Sequence, residues 1–351
     1  MAPFSGQSDG GESRLLEQAQ RLLWDLDGRE VLDIRRVPGG GNNRVFRLLC
    51  DSGPLLLKWY YRHPSDPRDR LGVEFGFLRF AWDRGLRHIP EPVAADRAAG
   101  LALHAWIEGR RLRSDELERG HLEQALDFIA QLNLHRGATD SQRLPPASEA
   151  CFTPGEHLAL VDQRVQKVCR IASKDPVHEE ARAFAERRVA PAWAEIRAEA
   201  ERALGLLGQG LDEPLPPAHR CLSPSDFGFH NALRVADGRL YFHDFEYAGW
   251  DDPAKLLCDF FCQPRVPVPL EGFAPAVEVV RDRLVLDDRF AARASALFPV
   301  FRVKWACICL NEFLPASAGR RRFAREALGE DHLRQQIDLS DRILRGPLRA
   351  A

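Results

Sequence analysis

The sequence predicts an α+β fold in two lobes, a small N-terminal antiparallel sheet followed by a larger, mainly helical C-terminal part. Three observations carry this prediction. The chain has 351 residues, more than one ordinary hydrophobic core accommodates. Residues 30–60 hold three short apolar runs separated by glycine-rich and turn-forming segments, the pattern of adjacent strands. Beyond Glu108-Gly109 the apolar residues recur at helical spacing almost to the C-terminus. Residues 1–12 are expected to be disordered, residues 13–107 to form the first lobe and residues 108–351 the second, with Glu108-Gly109 as the hinge.

Residues 13–24 have helical spacing and lead into the sheet. Strands are expected over residues 30–37, 44–50 and 54–60, with Asp51-Ser52-Gly53 as the tight turn between the last two. The first connection runs through Gly39, Gly40, Gly41, Asn42 and Asn43 and joins two strands. It therefore differs from a P-loop, whose glycines open a helix. Glycine there permits positive φ and lets backbone N–H groups approach phosphate oxygens. A helix over residues 71–84 aligns Leu71, Phe75, Leu78 and Trp82, with Glu74 at the border of that stripe. Pro90 and Pro92 end the next connection, and residues 101–107 read as a further strand. In the second lobe helices are expected over residues 122–135, 156–173, 177–207, 274–284, 289–313 and 319–344.

Hydrophobic content of 45% and charged content of 28% are those of a soluble globular protein. A net charge of −2 gives no electrostatic reason to expect nucleic acid or an anionic membrane as partner. The N-terminal segment lacks the apolar core of a signal peptide. No apolar run approaches the roughly 20 residues of a membrane helix. A cytoplasmic protein is the expectation. Eight cysteines are scattered without a Cys-x-x-Cys pair, which favours reduced thiols over disulfides or zinc.

Lys58 lies within the apolar run Leu55-Leu-Leu-Lys-Trp-Tyr60. A lysine there is costly without a counter-charge, and Glu74 on the following helix is the natural one. In kinases a strand lysine held by a helix glutamate points at the nucleotide phosphates.

Asp226 and Asn231 are five residues apart, and Asp244 follows at the end of Leu240-Tyr-Phe-His-Asp244. An Asp-x-x-x-x-Asn loop, then a short hairpin ending in Asp, can assemble a phosphoryl-transfer site. The first Asp accepts a hydroxyl proton, while the Asn and second Asp hold magnesium on the nucleotide. Asp226-Phe227-Gly228 also spells the tripeptide that binds magnesium in protein kinases. That literal reading fails, because no asparagine lies between Asn133 and Asn231 to complete an upstream catalytic loop. Asp237-Gly238 suits the turn of a hairpin that brings Asn231 and Asp244 to one cation.

The chain resembles the aminoglycoside phosphotransferase and choline kinase group, small-molecule kinases with a protein-kinase-like fold. The resemblance rests on Gly39 to Phe46, Lys58, Glu74, Ala105 to Gly109, Asp226 to Asn231, Asp244-Phe-Glu246 and Asp252-Pro253. It implies ATP and Mg2+ as cofactors, Asp226 as catalytic base, and Asn231 and Asp244 as metal ligands. Lys58, backed by Glu74, would contact the phosphates and Gly39 to Asn43 would cover them. The backbone near His104, Trp106 and Ile107 would receive adenine. Pro224 stands where the family usually has His, and Leu256 where it usually has Asp, with Asp259 available for that structural role.

Glu246, Asp251 and Asp252 form an expected acidic rim, and Trp250 and Trp305 offer aromatic faces suited to a cationic amine. Arg302, Lys304 and Trp305 with Asn311 and Glu312 suit a sugar or sugar phosphate instead. The acceptor is therefore a hydroxyl of a sugar, amino alcohol or aminoglycoside. A nucleotide-binding regulator without catalysis is the alternative. A protein kinase is disfavoured, since no Ala-Pro-Glu element follows Asp244.

Overall fold

The computed structural model describes residues 10–38, 43–63, 66, 68–208, 210–315 and 329–346. Helix α1 (Gly10–Asp27) precedes strands β1 (Val31–Val37), β2 (Arg44–Cys50) and β3 (Gly53–Trp59), helix α2 (Arg70–Asp83), and strands β4 (Pro92–Asp96) and β5 (Leu101–Ala105). The five strands form one antiparallel sheet in the order β1-β2-β3-β5-β4. Residues 10–12 belong to α1, so the helix begins before the apolar spacing does; residues 1–9, expected to be disordered, lie outside the described residues.

Alternation along the strands divides the two faces of the sheet. Phe46, Leu48, Leu55, Leu57, Leu101 and Leu103 pack on Leu15, Ala19 and Leu23 of α1. The opposite face carries Lys58 paired with Ala102, and Leu56 paired with His104. Ala102 there packs with Leu71 of α2. Strand β4 is not apparent from sequence, because Pro92 reads as a breaker. As the first residue of an edge strand its missing N–H costs no ladder bond.

Helix α2 buries more than one stripe. Leu71 joins the sheet side, while Phe77, Leu78, Phe80 and Ala81 belong to the core of the helical lobe. The expected stripe residues Phe75 and Trp82 are only half-buried. A helix sandwiched between two layers has no single apolar face for periodicity to reveal.

The second lobe contains helices α3 (Arg119–Asn133), α4 (Pro154–Val168), α5 (Pro176–Phe184), α6 (Ala190–Leu206), α7 (Pro253–Cys262), α8 (Phe273–Leu284), α9 (Arg289–Leu310) and α10 (Glu330–Arg345). Short strands β6 (Arg110–Arg111), β8 (Ala232–Arg234) and β9 (Leu240–Phe242) form one ribbon, and β7 (Cys221–Ser223) with β10 (Gly249–Asp251) another. The single helix expected over residues 177–207 is interrupted by a π-helical turn, Ala185–Val189. Pro191 follows two positions after it; proline lacks an N–H donor, and its ring crowds the preceding carbonyls. Sequence periodicity misses helix α7 altogether. All ten of its residues are buried, the paired Lys255 and Asp259 among them, so it lacks the solvent-exposed face that marks an amphipathic helix. Part of the helix expected over residues 319–344 lies outside the described residues. Among the described residues no helix is long and apolar enough to cross a membrane, and no group of three or more His, Cys, Asp or Glu gathers as a metal site. The eight cysteines are unpaired.

Candidate active site

The sheet face that carries Lys58 opens onto a cleft of about 1350 Å³ between the lobes. Lys58 Nζ is 2.7 Å from Glu74 Oε2 and 2.5 Å from Asp244 Oδ1. Tyr60 Oη donates to Glu74 Oε2 at 2.6 Å, and the Phe245 N–H donates to Glu74 Oε1 at 3.1 Å. Both glutamate oxygens are thus occupied, which fixes the rotamer that holds Lys58. Burial would lower the pKa of Lys58, but Asp244 and Glu74 raise it above its ordinary value. Burial would likewise raise Asp244, and Lys58 holds it below the usual carboxylate range. Both groups are charged at neutral pH.

The loop after β7 is held from several sides. Asn133 of α3 donates to the Leu222 carbonyl at 3.0 Å and accepts the Leu222 N–H at 2.8 Å. Ser223 Oγ accepts the Ser225 N–H at 3.0 Å, and Ser225 Oγ donates to the Ser148 carbonyl at 3.3 Å. Phe227 stacks on Phe128 with ring centroids 5.6 Å apart, which turns its side chain inward and leaves Asp226 in the cleft. These contacts anchor the loop around Pro224. Asn231 Nδ2 donates to the Asp226 carbonyl at 2.9 Å and lies 3.4 Å from Asp226 Oδ2.

Strand β8 pairs with β9, and the His243 N–H donates to the Asn231 carbonyl at 3.0 Å. Asn231 and Asp244 therefore flank the open end of this hairpin, as the spacing predicts, and both line the cleft. Asp244 and Ser225 are non-glycine residues at positive φ, +70° and +67°, a conformation that concentrates at functional loops.

His230 is a site residue that the sequence reading passes over. Its Nε2–H donates to Asp226 Oδ1 at 3.2 Å. A Cβ on Gly228 would stand 2.6 Å from the His230 ring, so glycine at that position makes room for the imidazole. Removal from water would raise the Asp226 carboxyl, but the His230 hydrogen bond and the nearby Arg265 lower it. The signal is present in the sequence, since His230 lies inside the Asp226–Asn231 motif itself.

On the sheet-lobe side, Val45, Leu56, His104, Trp106 and Ile107 line the cleft, with Leu233 of β8 also in its lining. His104 is only 2% exposed and neither ring nitrogen has a hydrogen-bond partner among the described residues. Burial, helped by Lys58, pushes its pKa down to about 3. Trp106 Nε1 donates to Glu108 at 2.9 Å, beneath the Arg47 guanidinium. Gly39, Gly40, Gly41 and Asn42 lie outside the described residues. Asn43 ends their loop and crosses to the other lobe. Its Nδ2 donates to Glu246 Oε2 at 2.5 Å, and its Oδ1 accepts the Tyr61 N–H at 3.1 Å.

The residues expected at an acidic, aromatic rim are placed differently. Glu246 is buried against Asn43 and 3.9 Å from Arg70. Asp251 is fully buried, where it accepts the N–H groups of Cys151 and Asp252 and pairs with Lys255. Asp252 caps α7 and meets His157 at 3.1 Å and Arg293 at 3.3 Å. Trp250 Nε1 donates to the Ser141 carbonyl at 3.0 Å. Arg302 donates to the Gly346 and Ile343 carbonyls at the end of α10. Polar side chains in the interior need partners, and these five residues have theirs within the fold. Trp305 does line the cleft, and its Nε1 donates to Asp259 at 2.9 Å. Asp259 also binds Lys304 at 2.8 Å, a structural role for this carboxylate.

Among solved structures the chain resembles choline kinase from Cryptosporidium parvum Iowa II at 12% identity, with 95% of this chain and 98% of that one covered and a TM-score of 0.56. A choline kinase from Streptococcus pneumoniae matches at 16% identity, over 96% and 99% of the two chains, with a TM-score of 0.58. A spectinomycin phosphotransferase in complex with ADP and spectinomycin matches at 11% identity, over 94% and 98%, with a TM-score of 0.59. Likeness at these identities is one of fold. A comparison with curated proteins gives no match. The family model of the phosphotransferase enzyme family matches residues 33–286, a span that includes Lys58, Glu74, Asp226, Asn231 and Asp244. The chain belongs to the phosphotransferase enzyme family.

Proposed function

We propose that the protein is an ATP-dependent kinase that transfers the γ-phosphoryl group to a hydroxyl of a small sugar, amino-alcohol or aminoglycoside-like acceptor. The observation that carries this reading is the meeting of Lys58 and Asp244 at 2.5 Å in the cleft that Asp226 and Asn231 also line. The carboxylate of Asp244 and the amide oxygen of Asn231 suit a hard cation that keeps most of its ligands from water and phosphate. The Lys58 ammonium already takes a cation's place on Asp244, which supports the fit. Magnesium held there would neutralise charge on the nucleotide phosphates. Fold relatives crystallised with ADP and spectinomycin, or with AMP-PNP and Ca2+, support a nucleotide with a divalent ion.

The chain's own residues supply the rest. Lys58, fixed by Glu74, offers N–H donors to the phosphates. Asp226 accepts the proton of the attacking hydroxyl, and its lowered pKa keeps it ionised at neutral pH. His230 and Asn231 orient its carboxylate. The test is to incubate the protein with MgATP and a panel of sugars, amino alcohols and aminoglycosides and to follow ADP release with ³¹P NMR of the products. Acceptor-dependent ADP release with a new phosphate ester is expected. ATP binding without transfer to any acceptor would instead support a nucleotide-binding regulator.

A further inference from the structure

The acceptor end of the cleft, beyond Asp226, has an unexpected charge. Glu246, Asp251 and Asp252, the carboxylates that sequence assigned to cation recognition, are engaged inside the fold. Two other carboxylates near this end are also engaged, Glu149 by Arg164 and Asp259 by Lys304. Glu312 has a contact of its own. Against these, Lys167 of α4 and Arg265, just after α7, line the cleft with exposed side chains. Neither has a carboxylate partner among the described residues. Arg265 stands near enough to Asp226 to help lower its pKa. Among the described residues that line the cleft in the helical lobe, Lys167 and Arg265 are exposed cations left without a carboxylate.

We propose that the acceptor is an anionic hydroxyl compound, a hydroxy acid or sugar phosphate, whose carboxylate or phosphate is received by Arg265 and Lys167. This rests on the kinase reading above and narrows its acceptor. A polycationic aminoglycoside or choline would meet these two like charges. Guanidinium and ammonium groups together suit a carboxylate or phosphate. In the reaction the acceptor oxygen forms a bond to the γ-phosphorus as the bond to the bridging oxygen of ADP breaks. The hydroxyl proton passes to Asp226 and then to solvent, and no oxidant or reductant is required.

The experiment compares matched acceptors with the full-length protein and MgATP. Gluconate and glucose 6-phosphate are separate anionic arms, glucose is the neutral counterpart, and choline and kanamycin are the cationic arms. Broader sets of hydroxy acids and sugar phosphates extend the two anionic arms. At least one anionic acceptor should show kcat/KM about 10-fold or more above its neutral counterpart. The Lys167→Gln, Arg265→Gln double variant should bring that ratio to within about two-fold of unity, mainly through KM. Thermal melting and ATP affinity identify any variant that fails to fold, and the single variants then provide the same comparison. Transfer confined to neutral or cationic acceptors overturns the proposal. So does an anionic preference that survives both substitutions, or no transfer to any anion by protein that transfers to another class. Failure of the kinase reading is distinguishable, because it gives no transfer to any class.

Discussion

Lys58 of the sheet lobe and Asp244 of the helical lobe touch directly, Nζ to Oδ1 at 2.5 Å, across 186 positions of sequence. The contact joins the cation proposed for the nucleotide phosphates to the carboxylate proposed for the metal.

Lys58→Met should lower turnover about 10²–10³-fold, the scale of losing one preorganised donor. It should also free Asp244 and so strengthen binding of Mg2+ in the absence of nucleotide, which calorimetry can read. Unchanged or weaker metal binding by this variant would mean that Asp244 is not the group that Lys58 holds back.

Asn43, which follows Gly39 to Asn42 in sequence, donates a buried hydrogen bond to Glu246, while its side-chain Oδ1 accepts the Tyr61 N–H. Asn43→Ala removes both of these hydrogen bonds and should cost about 1–3 kcal/mol of stability. KM for ATP should rise with it, because the end of the loop is no longer anchored. Urea unfolding and steady-state kinetics measure the two effects separately.

His104 gives a pH dependence whose sign is fixed. Its folded pKa, down to about 3, lies below its ordinary value of 6.5. The unfolded chain therefore binds the proton more readily between those values, and stability falls as pH falls below 6.5. Between pH 7 and pH 5 this group should remove about 2 kcal/mol of stability. His104→Leu should flatten the melting curve over that window. An unchanged pH slope would show that His104 is not held neutral by burial.

Asp252 contributes at lower pH. Burial would raise its carboxyl, but Arg293 and His157 hold it at about 2 against an ordinary 3.8. Its stabilisation is present above 3.8 and is lost as pH falls toward 2. Asp252→Ala should cost about 3–5 kcal/mol, because Arg293 and His157 are left buried without their carboxylate. A loss confined to acceptor KM, with stability unchanged, would return Asp252 to substrate recognition.

The parts legible in sequence were those fixed by local spacing. The first three strands follow alternation, and the Asp226–Asn231 loop with its Asp-Gly hairpin brings Asn231 and Asp244 to one cleft. Lys58 betrays its partner because a charge in an apolar strand demands one. What could not be read depended on packing. Pro92 looks like a breaker until its strand is known to lie at an edge. Helix α7 has no exposed face to mark its period. Asp251 and Asp252 look like surface acids, and only the fold reveals Lys255, Arg293 and His157 as their partners. The cations Lys167 and Arg265 line the cleft from separate elements, and no sequence spacing connects them.

Asp226→Asn, with phosphoryl transfer and ATP affinity measured on one preparation, tests the central claim most directly. The amide keeps the shape of the side chain but cannot take a proton from the acceptor. Turnover should fall about 10²–10⁴-fold, while the dissociation constant for MgATP stays within about three-fold, since Asp226 serves the acceptor side. Full activity in Asp226→Asn would contradict the account, because the proton acceptor would then be another residue.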